Sequence, residues 1–476
     1  MGQRIRFGGP SSRNTGKLKK ESLVRRMQHV LGQSPKAKRL LADWEREFSL
    51  AQEALIDAFV LNIAWNGTSN ERQIPLAFQV ANSVGFKLFF SFDYDGNGPW
   101  PKEDVLALMT NYQTNGAYYT ENSQPLVSTF EGGSNATDWI DIKAETDCYL
   151  IPDWSSLGAQ DAWDAADNVA DGLFSWDAWP SGVRPMDGSV DETYLRVVDK
   201  SKYMMAVSPW FYTNLPGYNK NWVWNSDNLW VDRWAQVISV QPAFVQIISW
   251  NDFGESHYIG PLHSSPAMET GALYDYVSTM PHEGWRNVLP TFISMYKNGT
   301  SDVTQESITA YYTPERGSNC STANTTLNTV SHSQTQYSID LLGGIKIYYD
   351  AALASAANIT VKVGEVDVQA TWDAARSPAD GGPGVYHGSY AVPTLPAEDE
   401  SSTVVVSLTR DDTVIAQIQG MSIGGCSETG MQNFNAWVGT ENVVRSADSL
   451  ASPTASASGL GAMLSIVLFV TALQLA

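Results

Sequence analysis

The chain has 476 residues, a formal net charge of −21 and three cysteines. Such a length predicts two or three domains. The acidity excludes a phosphate-backbone partner such as nucleic acid, which needs clustered Lys and Arg, and three cysteines are too few for a disulfide scaffold.

Residues 1–39 form an atypical basic segment (Lys17, Lys19, Lys20, Arg25, Arg26, Lys36, Lys38, Arg39) without an apolar core of signal-peptide length. Residues 40–298 alternate helical periodicity with short apolar runs. Strands are expected at 58–64, 87–93, 125–130, 148–152, 172–175, 203–208 and 244–250, and helices at 44–56, 73–84, 102–115 and 159–169. Near-continuous apolar strands alternating with helices predict a parallel sheet covered on both faces. The spacing suits a (β/α)8 TIM-like barrel. Only seven strands are counted, so the first strand of an eight-stranded ring is expected to be missing: upstream of the 44–56 helix nothing exceeds Ile5-Arg-Phe7.

The ends of these strands carry polar and aromatic groups in series, the pattern of a barrel's catalytic face. Trp65 and Asn66 follow the first strand, Asp93 and Asp95 the second, and Glu131 the third. Asp153 and Trp154, Trp176 and Asp177, then Trp210 come next. The last run ends in Trp250, Asn251, Asp252, Glu255 and His257. Two carboxylates three residues apart beside a Trp suit acid/base work on a sugar, which offers hydroxyls to bond and a C–H face to stack. The plainer alternative is that Asp252 caps a helix, with Glu255 as its capping-box partner. Seventeen Trp and twenty Tyr fit the first reading, because amphipathic rings beyond core needs line ligand surfaces; about half of them still serve the core. The expected catalytic groups are Asp252, Glu255 and Asp93; the other strand-end residues, with His257, are expected to bind substrate. His257 is expected to bond a sugar hydroxyl or a catalytic carboxylate. No zinc-ligand spacing, phosphate-cradling loop or nucleophile elbow is present, so neither metal nor cofactor is expected.

Residues 299–442 change texture to Ser/Thr-rich alternating strands (307–312, 344–348, 358–363, 403–409, 414–418) and predict a β-sandwich. Cys320 and Cys426 flank it and can bridge it, leaving Cys148 as a buried thiol. Residues 443–476 read as a Ser/Ala-rich stalk and an uncharged apolar tail, the pattern of a glycosylphosphatidylinositol attachment signal. With sequons at Asn66, Asn135, Asn298, Asn319, Asn324 and Asn358, the tail predicts a cell-surface or cell-wall glycoprotein attached to the membrane by a lipid.

Four stretches then carry a specific likeness: Ile56-Asp-Ala-Phe-Val-Leu-Asn-Ile-Ala64, Lys87-Leu-Phe-Phe-Ser-Phe-Asp93, Trp250-Asn-Asp-Phe-Gly-Glu-Ser-His257, and 424–438 with Asn433-Phe-Asn435. In this order they resemble fungal endo-1,3-α-glucanases, the mutanases of glycoside hydrolase family 71, from about residue 42 to 439. The resemblance implies endo-hydrolysis of α-1,3-glucan, a wall polysaccharide, with inversion at the anomeric carbon. It also implies essential acids at Asp252 and Glu255, with Asp93 as a third. The chain departs from the family over residues 1–38, where members carry a signal peptide and a first barrel strand. A monomer is expected. Two other classes fit the same residues: a non-catalytic α-glucan-binding wall protein, and a transglycosylase.

Overall fold

The computed structural model describes residues 35–180, 182–262, 271–317, 319–327, 335–393, 402–444 and 467–472. The basic segment before residue 35 and the stalk lie outside them. A helix α1 (Pro35–Glu53) opens the described chain. Trp44, Phe48 and Ala51 are buried along one side of it, as is Glu47. That i, i+4, i+7 spacing is a single helical stripe turned to the core.

Seven strands form one parallel sheet: β1 (Ala58–Ala64), β2 (Lys87–Asp93), β3 (Gln124–Phe130), β4 (Tyr149–Asp153), β5 (Leu173–Ser175), β6 (Tyr203–Val207) and, after an antiparallel hairpin β7 (Tyr212–Leu215) and β8 (Lys220–Val223), β9 (Phe244–Ile247). Helices α2 (Asn70–Val84), α3 (Lys102–Tyr112), α4 (Asp138–Thr146), α5 (Ala159–Ala166), α6 (Ser189–Leu195) and α7 (Leu229–Val240) connect them. Strands buried on both faces explain the near-continuous apolar runs. Boundaries expected from sequence for these strands and helices agree within about three residues, β9 stopping at Ile247 rather than 250 because the chain turns back on itself there, except that α1 begins at Pro35, nine residues before the expected 44.

The ring is closed. Residues Val467–Ala472 run parallel between β1 and β9, with Ala58 opposite Phe469 and Phe244 opposite Val467. The apolar run read from sequence as an anchor tail therefore contributes to the eighth place. No open seam remains between β1 and β9 at that point. Composition could not separate the two uses, since a buried parallel strand and a short membrane tail are both uncharged and apolar. No helix among the described residues is long and apolar enough to cross a membrane.

After α8 (Leu289–Asn298) the chain builds two four-stranded antiparallel sheets. One has the order β14 (Gly384–Ala391), β11 (Lys346–Leu353), β10 (Ser307–Tyr312), β17 (Trp437–Asn442); the other runs β13 (Val366–Ala370), β12 (Asn358–Val363), β15 (Ser402–Arg410), β16 (Thr413–Ile423). Their facing sides share a core of Ile308, Ile347, Val361, Val406 and Ile418. The outer side of the first sheet joins the barrel core through Tyr311, Tyr348 and Val438. Cys320 and Cys426 form a disulfide with Cα atoms 5.5 Å apart. Cys148 is buried and free, and burial pushes its thiol up to about 11.

Candidate active site

The chain leaves β9 and folds residues 249–260 into a closed turn at the C-terminal end of the ring. Ser249 N donates to the His257 carbonyl (2.9 Å), Ile259 N to the Ser249 carbonyl (2.9 Å) and Gly260 N to the Trp250 carbonyl (2.7 Å). The turn brings Asp252, Glu255 and His257 together, with one oxygen or nitrogen of each lying within 4.8 Å of the others. His257 Nε2 is 3.1 Å from Glu255 Oε2 and 3.5 Å from Asp252 Oδ2, while its Nδ1 is 2.8 Å from Ser249 Oγ. Ser249 Oγ also accepts from Asp252 N at 2.9 Å. One hydroxyl thus orients both the imidazole and the first carboxylate. Glu255 N donates to Asp252 Oδ1 at 2.8 Å. That is the capping contact foreseen as the plainer alternative, but here it ties a turn and no helix follows.

The cation of the site comes from β8. Lys220 Nζ lies 2.6 Å from Glu255 Oε1. Between Lys202 and Arg233 it is the one basic residue of the sequence. That isolation in an aromatic stretch was the signal that could have identified it. The hairpin is braced from the sandwich side. Asn221 Nδ2 donates to the Ala323 carbonyl (2.8 Å), Thr326 N to the Asn221 carbonyl (2.9 Å), and the Tyr337 hydroxyl to the Val223 carbonyl. A ring wall of Trp179 and Phe211 covers His257, with centroids 5.1 and 5.8 Å from the imidazole.

The two carboxyls are electrostatically unlike. Burial pushes the Asp252 carboxyl up, reinforced by the Glu255 charge and only partly offset by His257 and Lys220. For Glu255 burial also acts upward, but the Lys220 ammonium and the His257 contacts outweigh it and hold the group well below the usual carboxylate range. One carboxyl raised and its neighbour lowered is the kind of opposed pair that acid/base catalysis uses. Asp93, at the end of β2, accepts from Asp95 N (2.9 Å) and Gly96 N (2.8 Å). Burial raises its carboxyl despite those bonds and despite the Lys220 charge, whose influence places it in the same electrostatic neighbourhood. Asp252, Glu255 and His257 converge closely enough to offer ligands to a cation; Lys220 already supplies positive charge there.

The remaining expected site residues fall into three groups. Asn66 and Asp95 are exposed. Trp65 is half-buried, with Nε1 donating to Asp104 Oδ2 at 2.9 Å, and Trp176 is half-buried against Phe130 at 4.7 Å. A second acidic group forms where β3 and β4 end. Glu131 accepts from Ser156 N (3.1 Å) and Oγ (2.5 Å), and Asp153 is fully buried, its carboxyl pushed up to about 8 by burial and by Glu131. Burial likewise pushes Asp177 up to about 6 against the pull of Arg233. Three of the rings expected to stack on sugar are turned inward instead: Trp154, Trp210 and Trp250 are 0%, 6% and 1% exposed. Trp210 Nε1 donates to the Phe434 carbonyl at 3.0 Å and Trp250 Nε1 to Glu47 Oε2 at 2.6 Å. Asn251 is buried beside them.

Residues 27–450 match the family model described as glycosyl hydrolase family 71. The chain belongs to that family. It is similar to a mutanase of Penicillium rubens, 35% identical over 282 residues that cover 58% of this chain and 62% of that one. It is also similar to the glucan endo-1,3-alpha-glucosidase agn1 of Schizosaccharomyces pombe, 35% identical over 305 residues, 60% of this chain and 69% of the relative. An ascus wall endo-1,3-alpha-glucanase of the same yeast is 29% identical over 281 residues, 55% and 64% of the two chains. The chain thus spans under two thirds of the length of the first and third of these relatives. Among solved structures, the GH99 endo-alpha-mannosidase from Bacteroides thetaiotaomicron aligns with a TM-score of 0.44 and 17% identity, over 55% of this chain and 86% of that one, a likeness too loose to bear on function.

Proposed function

We propose that this family member hydrolyses α-1,3-glucosidic linkages within fungal-wall α-1,3-glucan, outside the cell, with Asp252 as general acid and Glu255 as the ionised partner. The observation that carries the assignment is the opposed electrostatics of two carboxyls in one turn, Asp252 raised and Glu255 lowered. An acid must hold its proton until the leaving oxygen needs it, and its partner must be charged beforehand. The substrate class rests on the family and on the printed activities of the relatives. Release of reducing ends from insoluble α-1,3-glucan, with oligosaccharides of mixed length, is the expected result. Binding without release would replace the enzyme by a glucan-binding wall protein.

The resemblance implies inversion, for which carboxyl groups usually stand about 6.5–9.5 Å apart to admit a water. In this turn the nearest carboxyl oxygens of Asp252 and Glu255 are within 4.8 Å. That separation favours a second reading, a double displacement with retention, in which a sugar acceptor could replace water and make the protein a transglycosylase. Proton NMR of the first-formed product separates the two. A nascent β-anomer supports inversion; a nascent α-anomer, or longer oligosaccharides than those supplied, supports retention with transfer. Lipid attachment and the strand Val467–Ala472 exclude one another, because the attachment reaction removes the tail; the pairing with β1 and β9 supports the strand.

A further inference from the structure

Trp250 is the residue between the hydroxyl that orients the site, Ser249, and the catalytic turn. Its ring points the other way, into the layer between barrel and helices. It packs 4.8 Å from Phe59 of β1, beneath the Arg286 guanidinium at 5.5 Å, and its Nε1 donates to Glu47 Oε2 on α1 at 2.6 Å. Its carbonyl is held by Gly260 N at 2.7 Å. A Cβ at Gly260 would sit 2.4 Å from that carbonyl oxygen and 2.8 Å from Nε1, so the far end of the turn is pressed against the same ring. Arg286 also donates to the Ile259 carbonyl, which lies in that segment. The indole is therefore a peg driven through the barrel wall, and Glu47 is the group that receives its tip.

From this geometry we propose that Glu47, on the helix that precedes the barrel and remote in sequence from the catalytic turn, is a positioning residue that fixes the height of Asp252 and His257 through Trp250. The inference rests on the proposed roles of Asp252 and Glu255. Glu47 touches no reacting group; it acts by seating the indole. The physical reason is that a turn closed on its own backbone is internally rigid but can still rock as a body, and a buried, charge-capable hydrogen bond at its root removes that freedom. Displacing a catalytic group by about 1 Å can cost about 10²-fold in rate.

The test is kinetic and spectroscopic, on the full chain with soluble α-1,3-linked glucose oligosaccharides. Glu47→Leu should lower kcat about 10²-fold while KM stays within about twofold, and Glu47→Gln, whose amide oxygen still accepts from the indole, should restore most of the rate. Trp250→Phe should lose as much as Glu47→Leu, and the double variant little more than either, because both break one connection. Unchanged kcat in Glu47→Leu, additive losses, or no rescue by Glu47→Gln would overturn the proposal. The ¹⁵N signals of the His257 imidazole, assigned by their loss in His257→Asn, give a readout without substrate. They should move in Glu47→Leu and stay in place in Glu47→Gln; if they stay in both, Glu47 does not position the site. If wild-type protein releases no sugar, the proposed hydrolysis fails, while this second measurement still decides the role of Glu47.

Discussion

Lys220 places its ammonium nitrogen 2.6 Å from Oε1 of Glu255, and the pair sets the charge state of the candidate site. The lysine is 30% and the glutamate side chain 19% exposed, so the contact is neither a screened surface pair nor a dry interior one. Its effect on Glu255 is to keep the ionised form at acidic pH. Activity that needs ionised Glu255 is lost as pH falls through its folded-state pKa, and that value is depressed. Lys220→Met should therefore move the acidic limb of the kcat/KM profile to higher pH, with the deepest loss at the acid end. Lys220→Arg should leave the limb near its original place. An unmoved limb in Lys220→Met would detach the lysine from the chemistry.

Asp252→Asn and Glu255→Gln should each reduce turnover about 10²–10⁴-fold, the usual contribution of a general acid or base. Both replacements keep the donors and acceptors of the turn nearly isosteric, so thermal midpoints should fall little. Turnover near wild type in either folded variant removes that residue from the mechanism.

Glu47 predicts a pH-dependent stability. Burial pushes its carboxyl from 4.5 up to about 7, against the Trp250 bond and the nearby Arg46 and Arg286, with Asp43 adding slightly; Glu283 and Glu53 in turn face Arg286. The unfolded chain releases this proton near 4.5 and the folded one near 7. Stability from this group is thus present below about pH 4.5 and is lost as pH rises through 7, by on the order of 3 kcal/mol. Glu47→Gln cannot titrate. Its thermal midpoint relative to wild type should be higher at pH 8 than at pH 4, and an equal difference at the two pH values would refute the buried proton.

Removal of residues 445–476 tests the eighth strand. Without Val467–Ala472 the backbone groups of β1 and β9 that face it lose their partners, and each buried orphan costs about 1–3 kcal/mol. The truncated chain should melt well below the full one. Mass spectrometry of protein secreted by its natural host checks the rival use: a mature chain lacking residues 467–472 and carrying a glycolipid, with undiminished stability, would show that the run is a discarded signal.

Much of the barrel was legible because β1 and β2 are unbroken apolar runs ending in polar residues, and buried parallel strands impose that pattern. The pairing of Asp252 with Glu255 was legible for the same reason: ionisable groups at a strand end have few structural uses. What sequence could not show was direction. Trp154, Trp210 and Trp250 sit at strand ends, but a strand end has an inside and an outside, and a one-residue turn of the chain decides between them. Ser249 and Trp250 are neighbours facing opposite ways. Lys220 is hard to read from sequence because the hairpin β7–β8 reads as more aromatic wall, and its register against the candidate site is set by tertiary contacts, among them Tyr212 N to the Glu255 carbonyl at 3.1 Å. The apolar tail admits two uses because length and composition do not record what a segment pairs with.

The bracing of that hairpin ties the two parts of the chain together. Asn221 and Val223, on the strand that carries Lys220, are bonded to residues 323, 326 and 337 of the segment that opens the second domain. The border between barrel and sandwich therefore runs along the candidate site instead of around it. A gene fusion that exchanged the sandwich for another module would leave the lysine without its frame and the glutamate without its counter-charge. The sandwich segment and the hairpin that carries Lys220 are thus one mechanical unit.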